Sequence, residues 1–514
     1  MPSPAAPHAA ARRSRATARL ARAASRLAGA GLATLAVAGA PATAAAHGLS
    51  PVYQSPLPLA VYLVGAAATV ALSFVFVLAR DMRAAPATDT RVVTVPAPVR
   101  VGLRVLGLAG WAWIMVQGIA GGPALDAAVA SLFLWVYGWV GIAMLSALVA
   151  PAWEWLDPFA TLHDVLAWGL RRLGVRGWAP GELPDALRLW PAVAGLGFFI
   201  WLELVAIAGN ATLAVVLAAY TVLTLALMAQ FGRDRWRAQG ETFTVWFRTL
   251  NRLAPFGVAP ADRDHGTGDP DEIDARVVVR RPFAGGVLEA RWTTPLIVLL
   301  AFGTGSIIFD GLSQTVAFAS LFGAPGLAAK TLLLFGFLGL IATAALAVAR
   351  SVSTGAIGAG LLPIAVGYLV AHYLTYLLIE GQRIVVAVSD PLQTGADLFG
   401  TAFFVPAGDW LPAGLVWTVQ LAAVVGGHML GAWAGHVTAQ RDMEALASAR
   451  PARDRRHRKI PDPRPAATRN VRLREIPLAL VMVGLTTLTL WSLGQAIVVE
   501  AAAEGVAPGV SVPG

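Results

Sequence analysis

Long apolar runs separated by short arginine-rich segments dominate the chain. A membrane-crossing helix needs roughly 20 predominantly apolar residues. Ten runs meet that length: 57–80, 101–121, 127–150, 188–209, 211–231, 293–319, 328–349, 355–381, 412–438 and 475–499. Tyr53, Tyr62, Trp111, Trp153, Trp155 and Trp190 lie near run ends, where rings with a polar tip favour the interface. The pattern predicts an all-α fold: a polytopic integral membrane helix bundle of about ten transmembrane helices.

The N-terminus has a different pattern. Arg12, Arg13, Arg15, Arg19, Arg22 and Arg26 precede a weakly apolar stretch, Leu27 to Ala40, and then Ala44-Ala45-Ala46. Charge, short apolar core and small residues, in that order, predict a cleavable signal peptide over 1–46. Residues 47–514 then form a single polytopic membrane domain, with His47 as its first residue.

Charge orients the spans. With the mature N-terminus outside, the cytoplasmic loops are 81–100, 151–187, 232–292, 350–354 and 439–474. The 232–292 loop carries ten arginines, and 439–474 with its edges carries eleven basic residues. The opposite loops hold almost none, Lys330 and Arg383 excepted. This positive-inside alternation places both mature termini on the extracytoplasmic side of the cell membrane. Within 151–187, Asp157 is a good N-cap and Pro158 suits a first helical turn, so an interfacial helix is expected over Leu162 to Leu173. In 232–292, the Asp- and Gly-rich stretch Ala261–Asp274 predicts a flexible loop, and the aromatic flanks 243–253 and 282–292 are expected to lie on the membrane.

Composition narrows the function. The chain is 57% hydrophobic and 13% charged, where a soluble protein carries about 25% charged residues. An ordinary soluble enzyme, a nucleic-acid binder and a disordered scaffold are excluded. The net charge of +9 points to the anionic inner face of the lipid bilayer as a partner. With no cysteine, there is no disulfide, thiol nucleophile or thiolate metal site.

Ionisable groups inside hydrocarbon cost several kcal/mol, about 2.5–3.5 on the insertion scale, and usually face a cavity, pair or bind something. The candidates are Glu203, Asp310, Gln314, His372, Glu380, His428, His436 and Gln495. Topology puts Glu203, Asp310, Gln314, His372 and Glu380 in the outer half, His428 below the middle and His436 near the inner surface. Each also has a structural reading. Asp310 would cap a half-helix starting near Ser313; Glu203 would pair with Asn210; His428, after Gly426-Gly427, would sit in a close helix contact. His436 would be solvated, Glu380 exposed, and Asp390 and Asp397 ordinary turn residues. Histidine and carboxylates from several helices suit a divalent metal, whose bound water would attack an ester or phosphoester. No His-Glu-x-x-His, His-x-His, Gly-x-Ser-x-Gly or P-loop is present. A free His47 would offer a separate copper chelate.

Several strings carry a resemblance: Ala46-His47-Gly48-Leu49, Asp157-Pro158-Phe159-Ala160-Thr161-Leu162, Phe309-Asp310-Gly311-Leu312-Ser313-Gln314-Thr315, Ala371-His372-Tyr373 with Glu380-Gly381-Gln382, Ser389-Asp390-Pro391-Leu392 and Asp397-Leu398-Phe399-Gly400. Together they resemble the bacterial, mostly actinobacterial, multi-pass membrane proteins known as the fenitrothion hydrolase family. The resemblance implies hydrolysis of an apolar organophosphorus triester, with release of a nitrophenol from a thiophosphate. It supplies no site residues, so these rest on membrane polarity: Asp310, His372 and Glu380 as catalytic residues, and His372, Asp310, His428 and Glu203 as ligands of a divalent metal. Glu380 is the expected base. The competing reading is a transporter or metal-handling membrane protein in which His47, His372 and His428 mark a path and Asp310 is a relay. A heme held by His372 and His428 ranks behind both.

Overall fold

The computed structural model describes residues 91–122, 128–175, 180–260 and 273–448, with isolated stretches between 64 and 68 and between 477 and 491. The expected signal peptide, His47, most of the runs 57–80 and 475–499, Gln495 and the greater part of 439–474 lie outside the described residues.

The described chain is mostly helical. Its order is β1 (Arg91–Thr94), α1 (Ala97–Ala120), α2 (Val129–Leu148), α3 (Pro158–Arg172), α4 (Trp190–Trp201), α5 (Asn210–Phe231), α6 (Arg233–Gln239), α7 (Thr242–Asn251), β2 (Phe256–Pro260), β3 (Ile273–Arg280), α8 (Gly285–Glu289), α9 (Thr294–Ser313), α10 (Val316–Phe322), α11 (Leu327–Ser351), α12 (Thr354–Glu380), α13 (Ile384–Ser389) and α14 (Ala413–Ser448). Among the described residues, eight helical segments are long and apolar enough to cross a membrane: α1, α2, α4 with its flanks, α5, α9, α11, α12 running on into α13, and α14. They match the eight predicted runs that fall within the described residues. Their outward faces are apolar: Ile119 is 88% exposed and Leu332 75%, where a water-facing helix would place polar groups.

The helical class expected from the sequence holds in the main, with one addition: β1, β3 and β2 form a small antiparallel sheet in the order β1-β3-β2, with Arg91 opposite Arg280 and Phe256 also opposite Arg280. Two expectations are corrected. Asp274, expected in a flexible loop, lies in β3; 261–272 lie outside the described residues. The segment 243–253 does not lie on the surface either. It forms α7, whose Val245, Trp246, Phe247 and Leu250 are core residues.

Burial of α7 depends on polar groups being satisfied around it. Glu241 caps it, accepting from Phe243 N and Thr244 N and from the Tyr220 hydroxyl. Asp157 caps α3 as expected, accepting from Phe159 N and Ala160 N, and its second oxygen accepts from Arg237 Nε at 2.8 Å. Arg237 Nη2 and Arg248 Nε both reach Glu154, at 2.9 and 2.6 Å. Burial alone would raise the Glu154 carboxyl, but Arg248 and Arg237 pull it down to about 2. This buried ion network ties the segment before α3 to α6 and α7.

Helix α12 is the most enclosed span. It runs against α9, α11, α14 and the middle of α2. Its contact with α14 is close because glycines face each other. A Cβ on Gly431 would lie 2.4 Å from Gly360 O, and one on Gly427 2.7 Å from Pro363 O. Two spans depart from α geometry. The central turns of α2, Leu132–Ile142, are π-helical, and α4 continues as a π turn over Leu202–Ala206 before Ile207 takes a left-handed conformation. A π turn winds more residues per turn and so re-registers the faces beyond it; Glu203 lies in such a turn.

Candidate functional site

The last turns of α9 and the middle of α12 bring the central pair together. Asp310, on α9, and His372, on α12, are 62 residues apart in sequence, and His372 Nε2 lies 3.0 Å from Asp310 Oδ2. The same oxygen accepts from the Tyr373 hydroxyl at 2.9 Å, and Oδ1 accepts from Gln314 Nε2 at 2.7 Å. With the carboxylate as acceptor, His372 carries its proton on Nε2, which leaves the Nδ1 lone pair for another partner. No protein hydrogen bond to Nδ1 is made among the described residues. Asp310 and His372 are both buried, though the Asp310 side chain keeps 12% of its surface open.

Asp310 is not a helix cap. Helix α9 continues to Ser313, and Thr315 caps α10 by accepting from Phe318 N. Glu203 is buried and within electrostatic range of Asp310. It does not pair with Asn210, which instead bonds the side chains of Gln117 and Gln393 and accepts from Ala130 N. Glu380 ends α12 and pairs with Arg383, three residues on; Tyr376 lies within electrostatic range of Glu380, Glu203 and Asp310.

His428 is in a different contact. It is fully buried between α14 and α12, where its Nδ1–H donates to Val424 O at 2.8 Å and its Nε2 accepts from the Tyr368 hydroxyl at 3.2 Å. The close helix contact expected beside Gly426-Gly427 is present at Gly427. His436, expected to be solvated, is buried and its Nε2 accepts from Gln440 Nε2 at 3.0 Å. Helix α14 runs on to Ser448, beyond the predicted end of its span, so His436 lies within the helix rather than at its end.

The four expected metal ligands therefore divide. Asp310 and His372 touch, Glu203 is nearby, and His428 is bonded to Tyr368. Among the described residues no three His, Asp or Glu side chains are grouped so as to hold a metal ion. The donors present also fit hydrogen bonding better than coordination, because His372 Nε2, Tyr373 and Gln314 all direct protons at the Asp310 oxygens.

The loop after α13 is held by its own carboxylates and by α1. Asp390 accepts from Thr394 N and Gly395 N; Asp397 accepts from Ala402 N and the Ser389 hydroxyl. The backbone N–H of Ala402, with Ser389, holds the Asp397 carboxyl below the usual range. Trp113 Nε1 and Gln117 Nε2 both donate to Pro391 O, pinning the loop to α1. The acidic residues of this loop are turn residues.

Tyr373 and Tyr376 are the site residues that sequence reasoning missed. For Tyr376 the signal was available, since Tyr368, His372, Tyr376 and Glu380 recur at i, i+4 and so share one stripe of a helix; Tyr373, next to His372, lies off that stripe.

No family model, no curated protein and no solved structure matches this chain.

Proposed function

We propose that this chain is an integral membrane hydrolase of organophosphorus triesters, with its site at the extracytoplasmic end of the bundle. Eight membrane-length apolar helices and the basic bias of the loops support the membrane setting. The observation that carries the chemistry is the Asp310–His372 pair. A carboxylate that fixes an imidazole tautomer and leaves the other nitrogen open is the arrangement of a general base and its orienter.

In this reading His372 Nδ1 takes a proton from water as the water oxygen bonds to phosphorus. The bond from phosphorus to the aryl oxygen breaks, and the electron pair leaves with the nitrophenolate. Imidazolium then returns its proton to solvent. Asp310 stabilises the imidazolium; Tyr373 and Gln314 hold Asp310 in place. Glu380, engaged with Arg383, is assigned no role as base, and no step passes through a metal. An apolar triester suits a site reached from lipid. Release of nitrophenolate from an aryl phosphotriester by purified protein in detergent tests the activity. Its absence from folded protein would refute it.

A specific observation favours a second reading. The stripe Tyr368, His372, Tyr376 and Glu380 on α12 is continued inward by His428 on Tyr368. Such a line suits proton or cation transfer along the helix, as a transporter needs. Uptake by proteoliposomes that is lost in His428→Ala would favour it.

A further inference from the structure

We propose that Arg252 and Arg281, with Trp292, form a binding site for a phosphate group, lipid-borne or free, at the basic end of the bundle. The site lies far from the Asp310–His372 pair, beside the sheet and the first turn of α9. Its assignment to the cytoplasmic leaflet rests on the membrane reading above.

Arg252 follows α7, and its guanidinium stacks over the Trp292 ring at 4.5 Å from the centroid. Its Nη1 is buried and has no hydrogen-bond partner. Arg281, just after β3, donates from Nε to Ala254 O at 3.1 Å and from Nη2 to Asn251 O at 2.6 Å. These two carbonyls fix the plane of its guanidinium, and among the described residues Nη1 has no hydrogen-bond acceptor.

The backbone is built around this group. A Cβ on Gly257 would come within 2.7 Å of the Arg281 guanidinium, and one on Gly286 within 2.3 Å, so any side chain at either position would displace it. Among the described residues, neither arginine forms a salt bridge. The carboxylate in electrostatic range of Arg281, among the described residues, is Glu289, which is exposed and makes no salt bridge to it. Arg280 and Arg291 add exposed positive charge at the same end.

Two guanidinium groups close enough to repel each other, one with a buried unused donor, cost free energy unless an anion joins them. Burial, and then the neighbouring Arg281, lower the proton affinity of Arg252 to about 10, consistent with a missing counter-charge. Planar guanidinium forks match phosphate oxygens in geometry. A tryptophan at a helix start, flanked by arginines, matches the headgroup level of a leaflet rich in anionic phospholipid.

The test uses the full chain in nanodiscs of phosphatidylcholine alone and of phosphatidylcholine mixed with phosphatidylglycerol, with a parallel titration of inorganic phosphate in detergent. The readout is the unfolding temperature. The wild type should be stabilised by phosphatidylglycerol, phosphate or both. Arg252→Gln should lose most of that shift, read as the difference from its own unfolding temperature in phosphatidylcholine, which falls only by the lost stacking on Trp292. Arg291→Gln, an equal change of charge on an exposed residue, should keep the shift. A response to phosphatidylglycerol alone identifies the ligand as lipid; a response to inorganic phosphate identifies it as the free anion. The proposal is overturned if the wild type responds to neither, if Arg252→Gln keeps the response, if Arg291→Gln loses it equally, or if Arg252→Gln is destabilised as much in phosphatidylcholine. Failure of the chain to enter either disc refutes the membrane reading, and the phosphate titration in detergent still decides the site.

Discussion

His372 donates its Nε2–H to Asp310 across 3.0 Å, from the middle of the most enclosed helix to the last turn of its neighbour. An Asp310→Asn substitution keeps the shape but replaces an oxygen acceptor or its charge, so His372 loses its fixed tautomer. Turnover of an aryl phosphotriester should fall by about 10²–10⁴-fold, the usual range for loss of positioned acid–base catalysis. Tyr373→Phe removes one of the donors to Asp310 and should cost about tenfold, the equivalent of a single hydrogen bond. Steady-state rates on both variants, with unfolding temperatures as a control, check the order.

His428 separates the two functional readings. It bonds Tyr368 rather than Asp310. In the hydrolase account His428→Ala leaves turnover within about threefold while lowering stability by about 1–3 kcal/mol, as removal of a buried partner does. If hydrolysis falls as far as in Asp310→Asn, the two sites act together and the line of polar groups along α12 is functional.

Coordination makes a further distinction. The protons directed at Asp310 leave little room for a metal at that carboxylate, so turnover should survive incubation with a strong chelator. Loss of activity on chelation, restored by a divalent ion, would return His372 and Asp310 to the role of metal ligands.

The contact between α12 and α14 should tolerate no side chain at Gly431. A Cβ there would lie 2.4 Å from the Gly360 carbonyl, and the clash is with backbone. Gly431→Val should cost about 1–3 kcal/mol, typical of overpacking, and lower the unfolding temperature measured by tryptophan fluorescence. An unchanged value would show that the helices are not packed this closely.

Acid sensitivity follows from Glu154. Its carboxyl ionises at about 2 in the folded chain, against 4.5 for an unperturbed glutamate. A lowered folded-state value means that the stabilisation is complete above 4.5 and is lost as pH falls from 4.5 through 2. Unfolding temperature should therefore drop steeply across that window. Glu154→Gln should be less stable at neutral pH and show a shallower acid slope. Equal slopes in the two proteins would contradict the role of the ion network.

How much of this was legible beforehand depends on the range of each interaction. Spans declare themselves locally, and the eight predicted runs within the described residues coincide with helices. The sheet was hidden because β1 pairs with β3, more than 170 residues away, and both are short and interrupted by arginines. Helix α7 looked like a surface segment because its burial depends on Glu241, Tyr220 and the Arg237 network, which sequence does not place together. Polarity in hydrocarbon singled out Asp310 and His372 individually. It could not show that His428 faces Tyr368, or that Glu380 turns to Arg383, because those choices depend on helix rotation. The π turn at Leu202–Ala206 adds a rotation that no 3.6-residue pattern anticipates.

The central claim is that His372 is the base. It is tested most directly by nitrophenolate release from an aryl phosphotriester by wild type and His372→Ala, with and without added imidazole. The account predicts turnover by the wild type, its loss in the variant and partial recovery when free imidazole enters the space left by the side chain. Undiminished turnover in folded His372→Ala, or none in the folded wild type, would contradict it.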